Sequence, residues 1–128
     1  MKSRFLVVVF AKNNDYKSLM MNTLKKTYSS KKVANPFISR IGKPKDFSRF
    51  IIQANAVLTH DTYSELNRIT CPTLIIGGES DKVVGPDAST EMVEKIPNNQ
   101  VLVYNGLGHA VYEEAKDFNK QVKDFLLN

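Results

Sequence analysis

The spacing of apolar residues changes after Pro72, and this change constrains the fold more than any other feature of the sequence. A continuous apolar run, Thr73 to Ile76, ends at two glycines and is typical of a strand buried on both faces. A helical pattern follows, then a second strand-like run at Val101 to Tyr104, and then one long helix. The apolar positions of the two helices are Ala88, Met92, Val93 and Ile96, and then Tyr112, Ala115, Phe118, Val122, Phe125 and Leu126. Because strands that alternate with helices pair in parallel, this half of the chain predicts an α/β fold.

Two loops follow the predicted strands, at the edge where a parallel sheet gathers its functional side chains. The first loop holds Asp81, and the second holds His109 after two glycines. Since both strands end at the same edge, we expect Asp81 and His109 to lie close together. An aspartate beside a histidine selects the imidazole tautomer, and the histidine then serves as a general base and later as a general acid. From the residues alone, a turn role for Asp81 and a solvated loop role for His109 stay open.

Three segments resemble the α/β-hydrolase family, and together the match spans about residues 66–127. Residues 71–84, Cys-Pro-Thr-Leu-Ile-Ile-Gly-Gly-Glu-Ser-Asp-Lys-Val-Val, are similar to the seventh-strand segment that ends in the acid of the catalytic triad. Residues 106–110, Gly-Leu-Gly-His-Ala, resemble the segment that carries the triad histidine, and residues 96–100 resemble the joint between them. The resemblance implies that Asp81 is the triad acid and His109 the triad base.

The upstream half resembles the same family more weakly. Residues 12–65 look like the helical lid that many of these hydrolases insert between the sixth and seventh strands, and residues 4–10 would be the sixth strand. Helices are expected near residues 16–28 and 47–58, a loop at residues 29–36, and a short helical turn near residue 63. We therefore divide the chain into residues 1–65 and 66–128. The expected architecture is a partial α/β-hydrolase fold: two or three parallel strands, flanking helices and a helical lid region.

The nucleophile of the family is missing. It lies in a G-x-S-x-G turn, and none of the nine serines stands between glycines at those offsets. The resemblance therefore implies a truncated hydrolase, whose ancestors hydrolysed an ester or amide type of acyl bond and which is inactive alone. The alternative is a non-catalytic module that associates with itself.

Other chemistry-bearing residues have plainer explanations. Ser80 lacks the nucleophile turn, so it is not expected to attack a substrate. Glu79, Asp81 and His109 lack metal-ligand spacing, so no metal site and no cofactor are predicted. His60 and its neighbour Asp61 are interpreted as the end of a helix, and Cys71 as a small apolar filler.

The two halves of the chain carry opposite net charges, and this difference bears on the partners that the chain could bind. Residues 1–60 hold 12 Lys and Arg against 2 Asp and Glu, whereas residues 61–128 hold 6 against 11. A basic aromatic surface could bind single-stranded nucleic acid, but a solvated basic face explains the pattern better, so no nucleic acid is expected. No apolar run reaches the length of a membrane span, and a signal peptide at residues 1–11 is less favoured than a buried strand, so a cytoplasmic location is expected. An open sheet edge predicts a homo-oligomer, and a separate N-terminal hydrolase half is a second expected partner.

Overall fold

The computed structural model describes residues 16–40 and 48–128, which include a pair of parallel strands. The pairing runs in register from Thr73 beside Asn99 to Gly78 beside Tyr104, which confirms the predicted parallel pair. The predicted strand at residues 4–10 lies outside the described residues. The elements are α1 (Tyr16–Thr27), α2 (Lys31–Ile38), α3 (Ser48–Thr59), a 3₁₀ helix (Tyr63–Arg68), β1 (Thr73–Gly78), α4 (Ala88–Val93), β2 (Asn99–Tyr104), α5 (Val111–Glu114) and α6 (Phe118–Leu127).

The connection between the strands is held by one side chain at the start of β2. Asn99 donates through Nδ2 to the carbonyl oxygens of Val93 and Ile96, at 3.1 and 2.7 Å. These carbonyls lie at the end of α4 and just beyond it, where a helix leaves its acceptors unpaired. Ile96 is buried, as is Ile75 in β1, so the connection packs closely beside the sheet.

The prediction of a loop at residues 29–36 is wrong, because α2 occupies most of that segment. Pro36 lies inside this helix, where its ring removes one backbone donor. The helix is stabilised by contacts that are remote in sequence or depend on side-chain stacking. Glu114 accepts hydrogen bonds from the backbone before the first turn, and the Tyr28 ring stacks on Phe37 with centroids 5.4 Å apart. Helix propensity and local polarity, which favoured a loop, are overridden by these contacts.

The prediction of a single helix over residues 112–126 is also wrong, because this segment forms two helices, α5 and α6. The break lies at Ala115, whose backbone is extended with φ −79° and ψ 122°. Asp117 precedes α6 and its carboxylate accepts a hydrogen bond from Gln121 Nε2 at 2.9 Å. The apolar spacing continues through both helices, so a break of one turn does not alter the pattern that predicted one helix.

The helices α1 and α2 pack against the C-terminal half of the chain. Tyr28 and Ala34 form a buried cluster with Ala110, which is fully buried between β2 and α5. Leu24 and Val33 pack on the same cluster from the sides of α1 and α2. The two halves of the chain therefore share one buried apolar cluster, and the N-terminal helices lie next to the loop that holds His109.

Helix α3 confirms the helix expected near residues 47–58, although residue 47 itself lies outside the described residues. Two of its described apolar side chains are more than half exposed, Ile52 at 67% and Leu58 at 51% of their possible surface. Among the helices that the structure describes, none combines the length and apolar character needed to span a membrane.

Candidate active site

Asp81 lies in the loop that leaves β1, and its carboxylate is held by the backbone that follows. The Asp81 N–H donates to the Gly78 carbonyl at 3.1 Å, which closes a turn at the end of the strand. Oδ1 of Asp81 accepts the N–H groups of Val83 and Val84, at 2.7 and 3.1 Å. The side chain is 8% exposed. These two hydrogen bonds to Oδ1 restrict the orientation of the buried carboxylate and thereby the position of its other oxygen, Oδ2.

His109 lies in the loop after β2, and its ring meets that second oxygen. The Nδ1 atom of His109 is 2.8 Å from Oδ2 of Asp81, which confirms that the two side chains lie together. Gly106, three residues earlier, turns the loop with φ +71°, a conformation that favours glycine. The imidazole is 39% exposed, and no described residue is hydrogen-bonded to its Nε2 atom. The ring therefore directs Nδ1 to the buried carboxylate, while Nε2 has no hydrogen-bond partner among the described residues.

The two loops are joined to each other by three hydrogen bonds as well as by this side-chain pair. Glu79 N–H donates to the Tyr104 carbonyl at 3.0 Å, and Ser80 N–H donates to the Leu107 carbonyl at 2.9 Å. In return, the Glu79 carboxylate accepts the Gly106 N–H at 3.0 Å. These bonds hold the loop of Asp81 and the loop of His109 as one unit.

A close backbone approach at Gly78 explains why a glycine ends β1. A Cβ atom placed there would lie 2.2 Å from the Gly108 carbonyl oxygen and 2.5 Å from that of Leu107. Both atoms belong to the backbone of the His109 loop and have no side-chain rotation by which to move away. The missing side chain at Gly78 is thus a condition for the contact between the loops.

The end of α1 supports the His109 loop from the opposite direction. Ala110 N–H donates to the Thr27 carbonyl at 3.0 Å. A Cβ atom on Gly108 would lie 2.9 Å from the same carbonyl oxygen and 3.2 Å from Ser29 Oγ. The residues on both sides of His109 are therefore in contact with the joint between α1 and α2.

The other sequence candidates take no part in the contact between Asp81 and His109, although Ser80 belongs to the same loop as Asp81. Ser80 is exposed, and the Asp61 carboxylate accepts the Tyr63 N–H at 3.1 Å, as expected for a helix end. Cys71 is exposed, so the prediction that it fills an apolar space is wrong: it stands in the loop before β1, outside the packed strands. Within residues 16–40 and 48–128 no group of three or more His, Cys, Asp and Glu side chains is arranged to hold a metal ion.

Sequence reasoning missed the residues that surround this pair. The bond from Glu79 to Gly106 spans 27 residues, and the bonds from Glu113 and Glu114 to the α1–α2 joint span 84 or 85. Unlike the contact between Asp81 and His109, these bonds were indicated by no periodicity or motif in the sequence. The one sequence feature that could have pointed to these bonds is the pair of adjacent glutamates, Glu113 and Glu114, that follows His109 by a few residues.

The fold and the comparisons together define the class of protein. The parallel strand pair, its flanking helices and the helical segment before it superpose on part of an α/β-hydrolase fold. An esterase from Exiguobacterium antarcticum superposes with a TM-score of 0.76 at 21% identity, over 94% of this chain and 46% of that one. A bromoperoxidase from Bacillus anthracis superposes with a TM-score of 0.72 at 23% identity, over 94% and 46%.

The family follows from the sequence. Residues 17–116 match the family described as serine aminopeptidase, S33, and the chain belongs to this family. A 2-hydroxy-6-oxononadienedioate/2-hydroxy-6-oxononatrienedioate hydrolase from Cupriavidus pinatubonensis is 42% identical over 78 residues, which are 60% of this chain and 27% of that protein. A second hydrolase of the same name, from Pseudomonas putida, is 41% identical over 76 residues. The chain thus matches about a quarter of each of these relatives and about half of the solved structures.

Proposed function

We propose that this chain supplies the acid and the base of a serine hydrolase that cleaves an ester or amide type of acyl bond. Asp81 would be the acid and His109 the base. The observation that carries the proposal is the 2.8 Å contact between His109 Nδ1 and a buried carboxylate whose other oxygen already accepts two backbone donors. Such a carboxylate keeps the Nδ1–H tautomer of the ring, which leaves the Nε2 lone pair free to accept a proton.

The reaction would follow the established chemistry of such a pair. A serine Oγ attacks the carbonyl carbon while its proton passes to Nε2 of His109. The bond from the carbonyl carbon to the leaving group then breaks, and His109 returns the proton to that group. Water attacks the acyl-serine in the same way, so that one water is consumed and an acid and an alcohol or amine are formed. Asp81 stabilises the imidazolium in both halves of the cycle and keeps its own charge.

The serine has to come from outside these 128 residues. No G-x-S-x-G turn occurs in them, and Ser80, the serine nearest in sequence to the acid, is exposed without such a turn. Without the nucleophile there is no acyl-enzyme, so this chain by itself would be an incomplete, truncated hydrolase. The serine would be supplied by a segment that carries the nucleophile turn and packs on the sheet, whether in a longer form of this chain or in a partner polypeptide.

The relatives suggest which substrate to test first. Two of them are named as hydrolases of 2-hydroxy-6-oxononadienedioate and 2-hydroxy-6-oxononatrienedioate, and the family is named for a serine aminopeptidase. We would therefore test such a dienedioate, an amino-acid amide and a simple p-nitrophenyl ester. We further propose that the protein is located in the cytoplasm, as the sequence predicts.

A labelling experiment tests the proposal. The chain alone is incubated with a fluorophosphonate probe, and its intact mass is expected not to change. It is then expressed together with the product of the reading frame upstream, provided that this product carries G-x-S-x-G. The probe is then expected to label the serine of that product, and the p-nitrophenyl ester is expected to be hydrolysed.

A matched pair of variants assigns the base. His109→Gln is expected to lower the rate of the assembled protein by on the order of 10³-fold or more, since the serine loses its base. His60→Gln replaces the other histidine, which is exposed at the end of α3, and is expected to leave the rate unchanged. A probe adduct on the chain alone, or an equal effect of the two variants, would contradict the proposal.

A non-catalytic, self-associating module is the second candidate, because β2 presents apolar side chains to solvent in the described structure. Val101 and Val103 lie two residues apart on one face of the strand and are 47% and 42% exposed. Pairing of two copies would cover this face and any open edge of the sheet. Light scattering tests the idea: a dimer supports it, whereas a monodisperse monomer at high concentration contradicts it.

A further inference from the structure

The joint between α1 and α2 is bound to α5 by a set of hydrogen bonds that we call the latch (Tyr28, Ser29, Ser30, Glu113 and Glu114). Ser29 N–H donates to Glu114 Oε2 at 3.0 Å, and Ser30 N–H donates to Glu114 Oε1 at 2.6 Å. The Tyr28 hydroxyl donates to Glu113 Oε2 at 2.6 Å. Two adjacent carboxylates thus bind three consecutive residues that lie some 84 or 85 positions earlier in the chain.

The charges in the latch suit these donors. A carboxylate is an acceptor with two oxygens, and Glu114 uses both on backbone N–H groups immediately before the first turn of α2. The positive end of the helix dipole favours a negative charge there. The pKa of Tyr28 is raised well above its ordinary value. Burial is the largest cause, and the hydrogen bond to Glu113 and the charge of that residue add to it, so the hydroxyl stays protonated and can donate.

The latch is adjacent to the proposed catalytic base. Helix α5 begins at Val111, directly after Ala110, whose N–H is bound to the Thr27 carbonyl at 3.0 Å. Thr27 in turn directly precedes Tyr28. Directly after His109, the backbone is therefore held first by Thr27 at Ala110 and then by the bonds of Glu113 and Glu114, all within a few residues of the imidazole.

We propose that Glu114 is a positioning residue for His109, acting through the α1–α2 joint. Its carboxylate holds that joint against α5, and the joint holds the backbone on both sides of His109 in the place where Nδ1 meets Asp81. The role of His109 as a base rests on the proposed function; the effect of Glu114 on the His109 ring does not. One consequence is that movement of α1 and α2 relative to the sheet would misalign the imidazole.

Nuclear magnetic resonance of the histidine ring tests this inference without any need for activity. Uniformly ¹⁵N-labelled chain is studied at about pH 8, where an ordinary histidine is neutral. Long-range ¹H–¹⁵N correlations report which ring nitrogen carries the proton, and a downfield Nδ1–H signal reports the hydrogen bond to Asp81. The unsubstituted chain is expected to show the Nδ1–H tautomer of His109 with such a signal.

Substitutions at Glu114 then separate the latch from general effects. Glu114→Ala is expected to remove the Nδ1–H signal and mix the two tautomers, whereas Glu114→Gln, which keeps one acceptor oxygen, is expected to restore part of it. Glu94→Ala, at the exposed end of α4, removes the same charge and is expected to leave the signal intact. Glu114→Gln, which is expected to weaken the Nδ1–H signal only in part, is also the second variant if Glu114→Ala does not fold.

The outcomes distinguish the two proposals. An unchanged His109 signal in Glu114→Ala, or in Glu114→Gln where the first variant does not fold, would overturn the positioning role and leave the proposed function standing. Absence of the signal in the unsubstituted chain would contradict the pairing with Asp81 and thus both proposals. Loss of the signal in Glu94→Ala to the same degree would also overturn the inference, because the effect would not depend on the latch.

Discussion

Replacing Gly78 with alanine should separate the two loops of the candidate site. The new Cβ would lie 2.2 Å from the Gly108 carbonyl oxygen, and ordinary contact begins at 3.4 Å, so the His109 loop has to retreat by about 1.2 Å. Overpacking against rigid backbone costs about 1–3 kcal/mol. The retreat also weakens the hydrogen bond from Ser80 to Leu107, at about 1 kcal/mol. Alanine returns about 0.4–1 kcal/mol by restricting the unfolded chain. The net expectation is a loss of about 2 kcal/mol in the free energy of unfolding.

Urea unfolding followed by circular dichroism measures this loss, provided that the slope with denaturant stays the same. Gly77→Ala is the matched control, because its Cβ would meet the Ser89 hydroxyl, which has other rotamers, and would otherwise lie 3.0 Å from Ser89 Cβ, with no backbone atom of the described residues in the way. It should therefore cost clearly less than Gly78→Ala. If Gly78→Ala changes the free energy of unfolding by less than about 0.5 kcal/mol, or if both variants cost the same, the reasoning from backbone contact is refuted.

Three further expectations follow from side chains. Asp81→Ala leaves two backbone N–H donors without an acceptor and should lower the free energy of unfolding by about 1–3 kcal/mol, as measured in urea; an unchanged midpoint would contradict the buried contacts. The raised pKa of Tyr28 adds stability that is complete below the unfolded value near pH 10 and is lost as pH rises through the folded value; the urea midpoint should fall above about pH 10, and less so in Tyr28→Phe. A parallel decline in both proteins would refute the assignment to that hydroxyl. Lys120→Ala breaks an exposed pair with Asp124 and should change stability by less than about 0.5 kcal/mol; a loss above about 1 kcal/mol would show that the pair does more than its exposure suggests.

Much of the C-terminal half was predictable because its signals are local. The runs around Ile75 and Leu102 have strand length and end at loops, and in a parallel pair such ends fall at one edge. That geometry is sufficient to bring Asp81 and His109 together, which the 2.8 Å contact confirms. Whether these two residues catalyse a reaction stays a prediction, and so does the division of the chain at residue 65.

The sequence by itself determined β1, β2, the helices α1, α3 and α4, and the pair of loops, because apolar period and turn residues act over neighbouring positions. Tertiary structure decided the rest. Helix α2 forms around Pro36 with Glu114 bound before its first turn, and the last helix breaks at Ala115, between the segment that faces the α1–α2 joint and the segment that continues as α6. Glu79 likewise acquires its partner only when the two loops meet. A carboxylate can accept any donor within reach, and only folding decides which donor, 27 or 84 residues away, comes within that reach.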